Sequence, residues 1–463
     1  EYYVHEARFS SIRGPDRLLD YDVGYYYQEF DGVSLFNLPV YPGGAFGPPG
    51  SAVPGAITDP YSRYTLPVDG RYTISRTLES FYGNLQFHLP YETELTLGLR
   101  SIDDQSSAPA ITEVGSAYNA IKNPVAAIYE CSQLGNLSPA AKGAVDSPIY
   151  GDGYCDIPVA ATSTTEGGDD DHDDTIYNIS LSHRFSDDVL AYVTTGTSYR
   201  SGLPSLNNPG LPEEYLFPEP ETATSYEIGV KSNWSDWLVV NAALFLIDYQ
   251  DQLTQFQSIP YYNSISGRVT NTSVAFFQNV DAQVTGGELE ITAAPMENLT
   301  LTTNLSYSEI ESEGGEVPCI DASRPINADN IINTCESEQG SNLNASPKFQ
   351  ASFVGNYVLP LGAFDGYLRT LVNYQDENPN FGASLEEADA YTTVDLFAGL
   401  TGNEGGWDVG LYAKNVFNTR NQLFRQNEPN SIYPEFGDNG YDTVNMNLPR
   451  EVGMSVLYAF GSR

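Results

Sequence analysis

Apolar side chains recur at every second position in segment after segment of this chain, and few folds accept that pattern. From Leu299 to Ser308 the odd positions Leu299, Leu301, Thr303, Leu305 and Tyr307 are mostly apolar, while Thr300, Thr302, Asn304, Ser306 and Ser308 are polar. Between Tyr91 and Ile102, Leu95, Leu97 and Leu99 oppose Glu94, Thr96 and Arg100. Tyr177, Ile179 and Leu181 share a face between Ile176 and Arg184, as do Val452, Met454, Val456, Tyr458 and Phe460 near the end. A repeat of two is a strand with different surroundings on its two faces; a helix would repeat every three to four residues. The stretch WLVVNAALFLIDY, 237–249, is apolar on both faces and fits a strand packed against a filled interior.

The connections between these segments alternate in length. The short ones are Arg13–Arg17, Leu89–Glu92, Phe185–Asp188, Asn233–Asp236, Pro295–Asn298, Pro360–Gly366 and Gly402–Gly406, rich in Pro, Gly, Asp and Asn as tight turns require. The long ones span about 31–70, 104–174, 201–221, 251–271, 310–345, 376–389 and 420–446. Short turns on one side and long loops on the other are the pattern of a transmembrane antiparallel β-barrel. Fifteen strands are expected, near 1–12, 17–30, 71–89, 92–103, 175–185, 188–200, 222–233, 237–250, 272–294, 299–309, 346–359, 366–375, 390–401, 407–418 and 447–460, all in one barrel domain over 1–463. The first connection is short and the last strand follows a long loop, so strand one runs inward and the last ends in the periplasm. Barrels of this kind have an even count with both ends periplasmic, which calls for an odd number of strands upstream.

Composition agrees with a wall wet on one side and apolar on the other. Hydrophobic residues make up 41% of the 463, with 33 Tyr against 3 Trp. Rings that are part apolar and part polar suit the two membrane interfaces. There is no apolar run of about 18 residues, so a transmembrane helix is excluded while barrel strands are not. The chain carries 61 acidic and 21 basic residues, a net charge of −40, which excludes nucleic acid as a partner. The acidity keeps loops hydrated or, alternatively, draws cations to the mouth of a pore. The four cysteines lie in polar stretches, and proximity suggests Cys131–Cys155 and Cys319–Cys335 among three connectivities. Disulfides imply an oxidising compartment. Residue 1 opens directly into a strand without a signal peptide, as expected of a processed or truncated chain.

No catalytic constellation stands out, and an enzyme is not expected. His5, His88, His172 and His183 are scattered, and no GxSxG or phosphate-binding glycine loop occurs. Gly286-Gly287 inside a strand marks a bulge or a close approach. Asp169, Asp170, Asp171, Asp173 and Asp174 surround His172 at an expected loop-to-strand boundary. They are either a solvated charge run or oxygen ligands for Ca²⁺. Loop aromatics, among them Tyr41, Phe46, Tyr215, Phe217, Tyr261, Tyr262, Phe381, Phe424, Tyr433 and Phe436, offer rigid contact area for a substrate or pack loop on loop.

Several segments resemble, in order, the TonB-dependent outer-membrane receptors. HEARFSSI and DRLLDYDVGYYYQEF open the series. PETATSYEIGVKS (Pro220–Ser232), VNAALFLIDYQDQL (Val240–Leu253) and NVDAQVTGGELEITAAPMENLTL (Asn279–Leu301) follow. WDVGLYAKNVFNTR (Trp407–Arg420) and PREVGMSVLYAF (Pro449–Phe460) resemble the last two strands, although Gly461-Ser462-Arg463 trail the terminal aromatic Phe460. The resemblance implies about fifteen of 22 strands, with the N-terminal plug, the TonB box and seven strands outside this chain. It further implies a place in the bacterial outer membrane among lipid and lipopolysaccharide, and coupling to the TonB complex through that N-terminal region. No cofactor is required. The expected cargo is a scarce small-molecule nutrient, most often a ferric siderophore, with cobalamin, haem or an oligosaccharide as alternatives. A non-transporting surface-binding or scaffolding barrel is the reading from another class.

Overall fold

The computed structural model describes residues 2–12, 17–40, 66–113, 119–122, 132, 145–146, 154–157, 163–202, 205, 208, 210–256, 259–264, 267–272, 276–337, 347–381, 386–402, 406–427 and 442–459. Fifteen strands of one sheet follow each other in chain order: β1 (Tyr2–Ser10), β2 (Leu19–Val40), β3 (Leu66–Leu89), β4 (Thr93–Glu113), β5 (Ser163–Ser186), β6 (Val189–Arg200), β7 (Glu221–Trp234), β8 (Leu238–Phe256), β9 (Phe276–Met296), β10 (Leu299–Pro318), β11 (Phe349–Pro360), β12 (Phe364–Gln375), β13 (Tyr391–Gly402), β14 (Trp407–Lys414) and β15 (Glu451–Tyr458); a sixteenth short strand, Thr334–Ser337, pairs off this path with the outer end of β10. Each expected strand is present, and each pairs antiparallel with the next, as a wall built only of hairpins must. The sheet is open: among the described residues β1 pairs only with β2, and β15 only with β14.

The register carries the alternation across the wall. Ile228, Leu244, Gly287, Tyr307 and Phe349 lie side by side on one face. On the other lie Tyr192, Gly229, Ala243, Glu288, Ser306, Gln350, Gln375 and Tyr391. The first face is apolar and bare: Leu244 is 66% exposed and Val452 74%. Moving such a side chain from water to hydrocarbon is worth about 1.5–3 kcal/mol, so this face belongs against lipid. The second is polar and concave and forms the lumen.

Tight turns close one end. Tyr91 and Glu92 adopt φ 62° and 53°, and Asn298 adopts 67°, left-handed values that a two- or three-residue reversal demands. At the other end the strands are longer than the alternation indicated. β2 runs to Val40 and β3 begins at Leu66, inside the expected loop 31–70; β4 runs to Glu113 and β5 begins at Ser163, inside 104–174. β8 and β10 likewise extend to Phe256 and Pro318, inside the expected loops 251–271 and 310–345. Above the bilayer both faces meet water, so ladders continue where the sequence has no apolar period of two, in polar residues for β5 and in mixed ones such as Val33–Val40 for β2. The wall is therefore uneven. β11 and β12 have 12 residues each, close to the ~9–11 that span a bilayer, while β4 has 21 and β5 has 24. At about 3.3 Å per residue the strands of the tall side gain about 30–40 Å in length. That tall side is forked. The β3–β4 ladder ends at Ser75–Ser107, whereas β2–β3 continues to Val40–Leu66 and β4–β5 to Glu113–Ser163.

Three expected loops hold small hairpins, Pro260–Asn263 with Arg268–Asn271, Asn378–Phe381 with Glu386–Ala388 and Gln422–Asn427 with Asp442–Met446. The expected strand 407–418 stops at Lys414 because Asn415 and Asn418 turn left-handed at φ 45° and 54°.

Candidate functional site

The lumen wall and the loops over its outer end form the candidate site. A luminal cavity of about 990 Å³ is lined by polar side chains that include Lys231, Glu288, Asn304, Gln350, Asp395 and Lys414. Its surface is kept low by a recurring arrangement. In Glu227-Ile-Gly229, Asp408-Val-Gly410 and Glu451-Val-Gly453 an acid precedes a strand glycine by two residues. A tyrosine covers each glycine: Tyr192 over Gly229 and Tyr412 over Gly453 from the neighbouring strand, and Tyr367 over Gly399 next to it with its hydroxyl reaching Gly410 one strand further on. A β-carbon at any of these glycines would overlap the ring. The ring hydroxyls donate to the acids: Tyr192 to Glu227 at 2.5 Å, Tyr412 to Glu451 at 2.7 Å, Tyr367 to Asp408 at 3.4 Å. Covering a strand glycine with a cross-strand ring is a known way to hold register. Phe245 covers Gly286 in the same way, so the Gly286-Gly287 pair marks a close approach, and it accounts for the apolar inner face of 237–249. Sequence inspection missed this set; acid-x-Gly inside an alternating strand was the available signal.

Cations on the wall are held by rings or acids. Lys231 sits 5.7 Å above the Tyr192 ring, Lys414 5.1 Å above Tyr412 and Arg100 5.6 Å above Tyr26. Arg76 binds the buried Asp104 through two contacts at 2.7 and 2.5 Å, and Tyr199 donates to the same carboxylate.

Over the outer end, three connections share one apolar core. Leu211 and Leu216 come from the β6–β7 connection, Ile259 and Tyr261 from β8–β9, and Ile332 from β10–β11; they close on Phe276 of β9. Tyr215, Phe217, Phe256 and Ile331 pack around them. The chain pieces are also hydrogen-bonded to each other: Tyr262 N–H donates to Ile331 carbonyl at 2.7 Å, Ser264 hydroxyl to Gly210 carbonyl at 2.8 Å, and Gln278 to Tyr215 carbonyl at 3.0 Å. Cys319 and Cys335 are joined as expected, with Cα atoms 5.7 Å apart. Asn333, buried beneath that bridge, donates to the carbonyls of Asp321 and Arg324.

The candidate aromatics therefore divide. Tyr261, 1% exposed, is core, and Tyr215 and Phe217 pack against it; Tyr262 is half-buried beside it. Phe381 and Phe424 lie in the short hairpins, with side chains outside the described residues, as are Tyr41, Phe46, Tyr433 and Phe436 altogether. Cys155 lies in the short strand Tyr154–Ile157, while Cys131 and hence the Cys131–Cys155 pairing lie outside the described residues. The acidic run is not at a loop boundary. Asp169, Asp170, Asp171, Asp173 and Asp174 belong to β5 and pair with Ile102–Ser107 of β4. Alternation puts Asp171 and Asp173 on one face and Asp174 on the other, which works against a shared Ca²⁺. Side chains of Asp169 and Asp170 are outside the described residues, and among the described ones no three acid, His or Cys groups are placed to hold a metal.

The fold is that of large outer-membrane receptors. The chain superposes on the ferric yersiniabactin uptake receptor FyuA from Yersinia pestis with a TM-score of 0.61 and 14% identity, over 98% of this chain and 53% of that one. The ferric-catecholate import receptor Fiu from E. coli K12 gives 0.59 and 14%, over 98% and 54%. The siderophore receptor PiuA from Acinetobacter baumannii gives 0.56 and 14%, over 98% and 55%. The chain thus spans about half the length of these receptors. Residues 2–416 match the family model for the TonB dependent receptor-like β-barrel. An apolar outward face, a polar lumen and this match together place the protein in the outer membrane, and the chain belongs to the TonB-dependent receptor β-barrel family.

Proposed function

We propose that this chain is the barrel wall and outer vestibule of a receptor for TonB-dependent uptake of a ferric siderophore or a similar metal complex. The observation that carries the reading is the wall itself: lipid-facing apolar rows outside, and inside a polar surface flattened by tyrosines that leaves room for a filling segment and a hydrated ligand. The names of the similar receptors support the cargo class. Energy coupling belongs to an N-terminal plug and TonB box, and lipopolysaccharide surrounds the outer rim. Phe381 and Phe424, with Tyr41, Phe46, Tyr433 and Phe436, are the candidate ligand contacts, since Tyr261, Tyr215 and Phe217 are occupied by each other. The net charge of −40 favours neutral or cationic chelates over polyanionic ones.

The test is uptake of radioiron presented on a panel of chelators to cells whose only receptor is the full-length protein, with and without functional TonB. Accumulation that requires both TonB and the receptor is expected for at least one chelate. Uptake indifferent to TonB, or no uptake of any chelate, would overturn the proposal.

A further inference from the structure

We infer that the segments 210–217, 259–264 and 319–337, from the connections β6–β7, β8–β9 and β10–β11, form a single rigid lid folded over the luminal side of the wall and locked by Cys319–Cys335, so that this side of the mouth opens only if all three move together. The direction of folding follows from β9. Glu288 and Glu290 face the luminal cavity. Val280, Ala282 and Phe276 share their parity, and the irregularities beside them add residues to β8 and β10, not to β9. Luminal side chains at a free rim would be wet, yet Phe276 and Ala282 are 0% exposed and Val280 5%. The loop core closes over Phe276 from this luminal side.

Unity of the lid follows from its core. No connection supplies more than two of the six buried residues, so none can bury its apolar side chains alone. The bridge acts at a distance. It closes the turn that presents Ile331 and Ile332, and those two residues hold the Tyr261–Tyr262 strand by a β-bridge and a backbone hydrogen bond. That strand in turn holds Gly210 through Ser264. The first two connections contain no cysteine, yet their order depends on one.

The role as a lid rests on the uptake reading; its being one body does not. Hydrogen exchange on the purified full-length receptor, native, treated with a phosphine reductant, and as Cys319→Ser/Cys335→Ser, tests it. Reduction or the double variant is expected to speed exchange about tenfold or more in peptides covering 210–216 and 259–264 as well as 319–335, with the β11–β13 strands unchanged. Faster exchange confined to 319–335, or none, would overturn it. Phe276→Ala keeps the bridge and serves as the second variant: all three connections should loosen alike, and a response in one alone would count against a single body. Radioiron uptake by the unmodified receptor addresses the uptake reading separately.

Discussion

Single side chains decide more here than their exposure suggests. Asp321 is held down to about 2 by the Ser323 hydroxyl, then by Arg324 and the Ser323 amide. Its ordinary value is 3.8, so the stabilisation is complete above that and is lost as pH falls through about 2. Pepsin cleavage inside 319–335 should rise between pH 4 and 2 in the native protein, and Asp321→Asn should be cleaved readily across that range; equal, flat profiles would contradict this. Asp251 has the opposite sign. Burial raises it first, then Asp281 and Glu219, so its charged form weakens the outer end of the β8–β9 ladder, at the irregularity between Tyr249 and Gln252, and acidification strengthens it. Asp251→Asn should therefore raise the melting temperature at pH 7 and have a smaller effect at acid pH. The asparagines at 415 and 418 show why sequence spacing overran one strand. Asn415 takes the Thr419 amide on its side-chain oxygen and gives its NH₂ to the carbonyls of Thr419 and Leu448, turning the chain where the apolar period would have continued.

At the scale of strands, the tyrosine-over-glycine contacts fix register on the lumen face. Gly453→Val or Gly229→Val should push Tyr412 or Tyr192 off the wall and cost about 1–3 kcal/mol of overpacking, read as an earlier loss of the compact, heat-modifiable band on gels. Losing the 319–335 bridge should cost about 3 kcal/mol of local stability, given its separation of 16 residues. Strands were legible in the sequence wherever lipid and lumen impose opposite demands, which is why Leu95–Leu99 and Val452–Val456 stand out. They were invisible where β4 and β5 rise into water, because polar ladders such as Asp169–Asp174 show no contrast between faces. The lid was illegible for another reason. Leu211, Ile259 and Ile332 are isolated apolar residues in polar loops, separated by about 120 positions, and only the fold brings them together.

For the molecule as a whole, charge is expected to act on approach. With 40 surplus negative charges and screening over about 10 Å at 0.1 M salt, association of an anionic chelate should quicken as salt rises from low to physiological strength, and that of a cationic one should slow. Stopped-flow fluorescence on the full receptor would show it; identical slopes for both would refute a field-guided capture. Shape matters as well, and the forked tall side has a mechanical meaning. Force passes through a sheet along its cross-strand bonds, and among the described residues no ladder joins the β2–β3 prong to the β4–β5 prong above Ser75 and Ser107. A blow or a proteolytic cut at either tip therefore stops at the crotch of the fork. The ring in the bilayer should keep its register while the prongs are trimmed, tagged or bent.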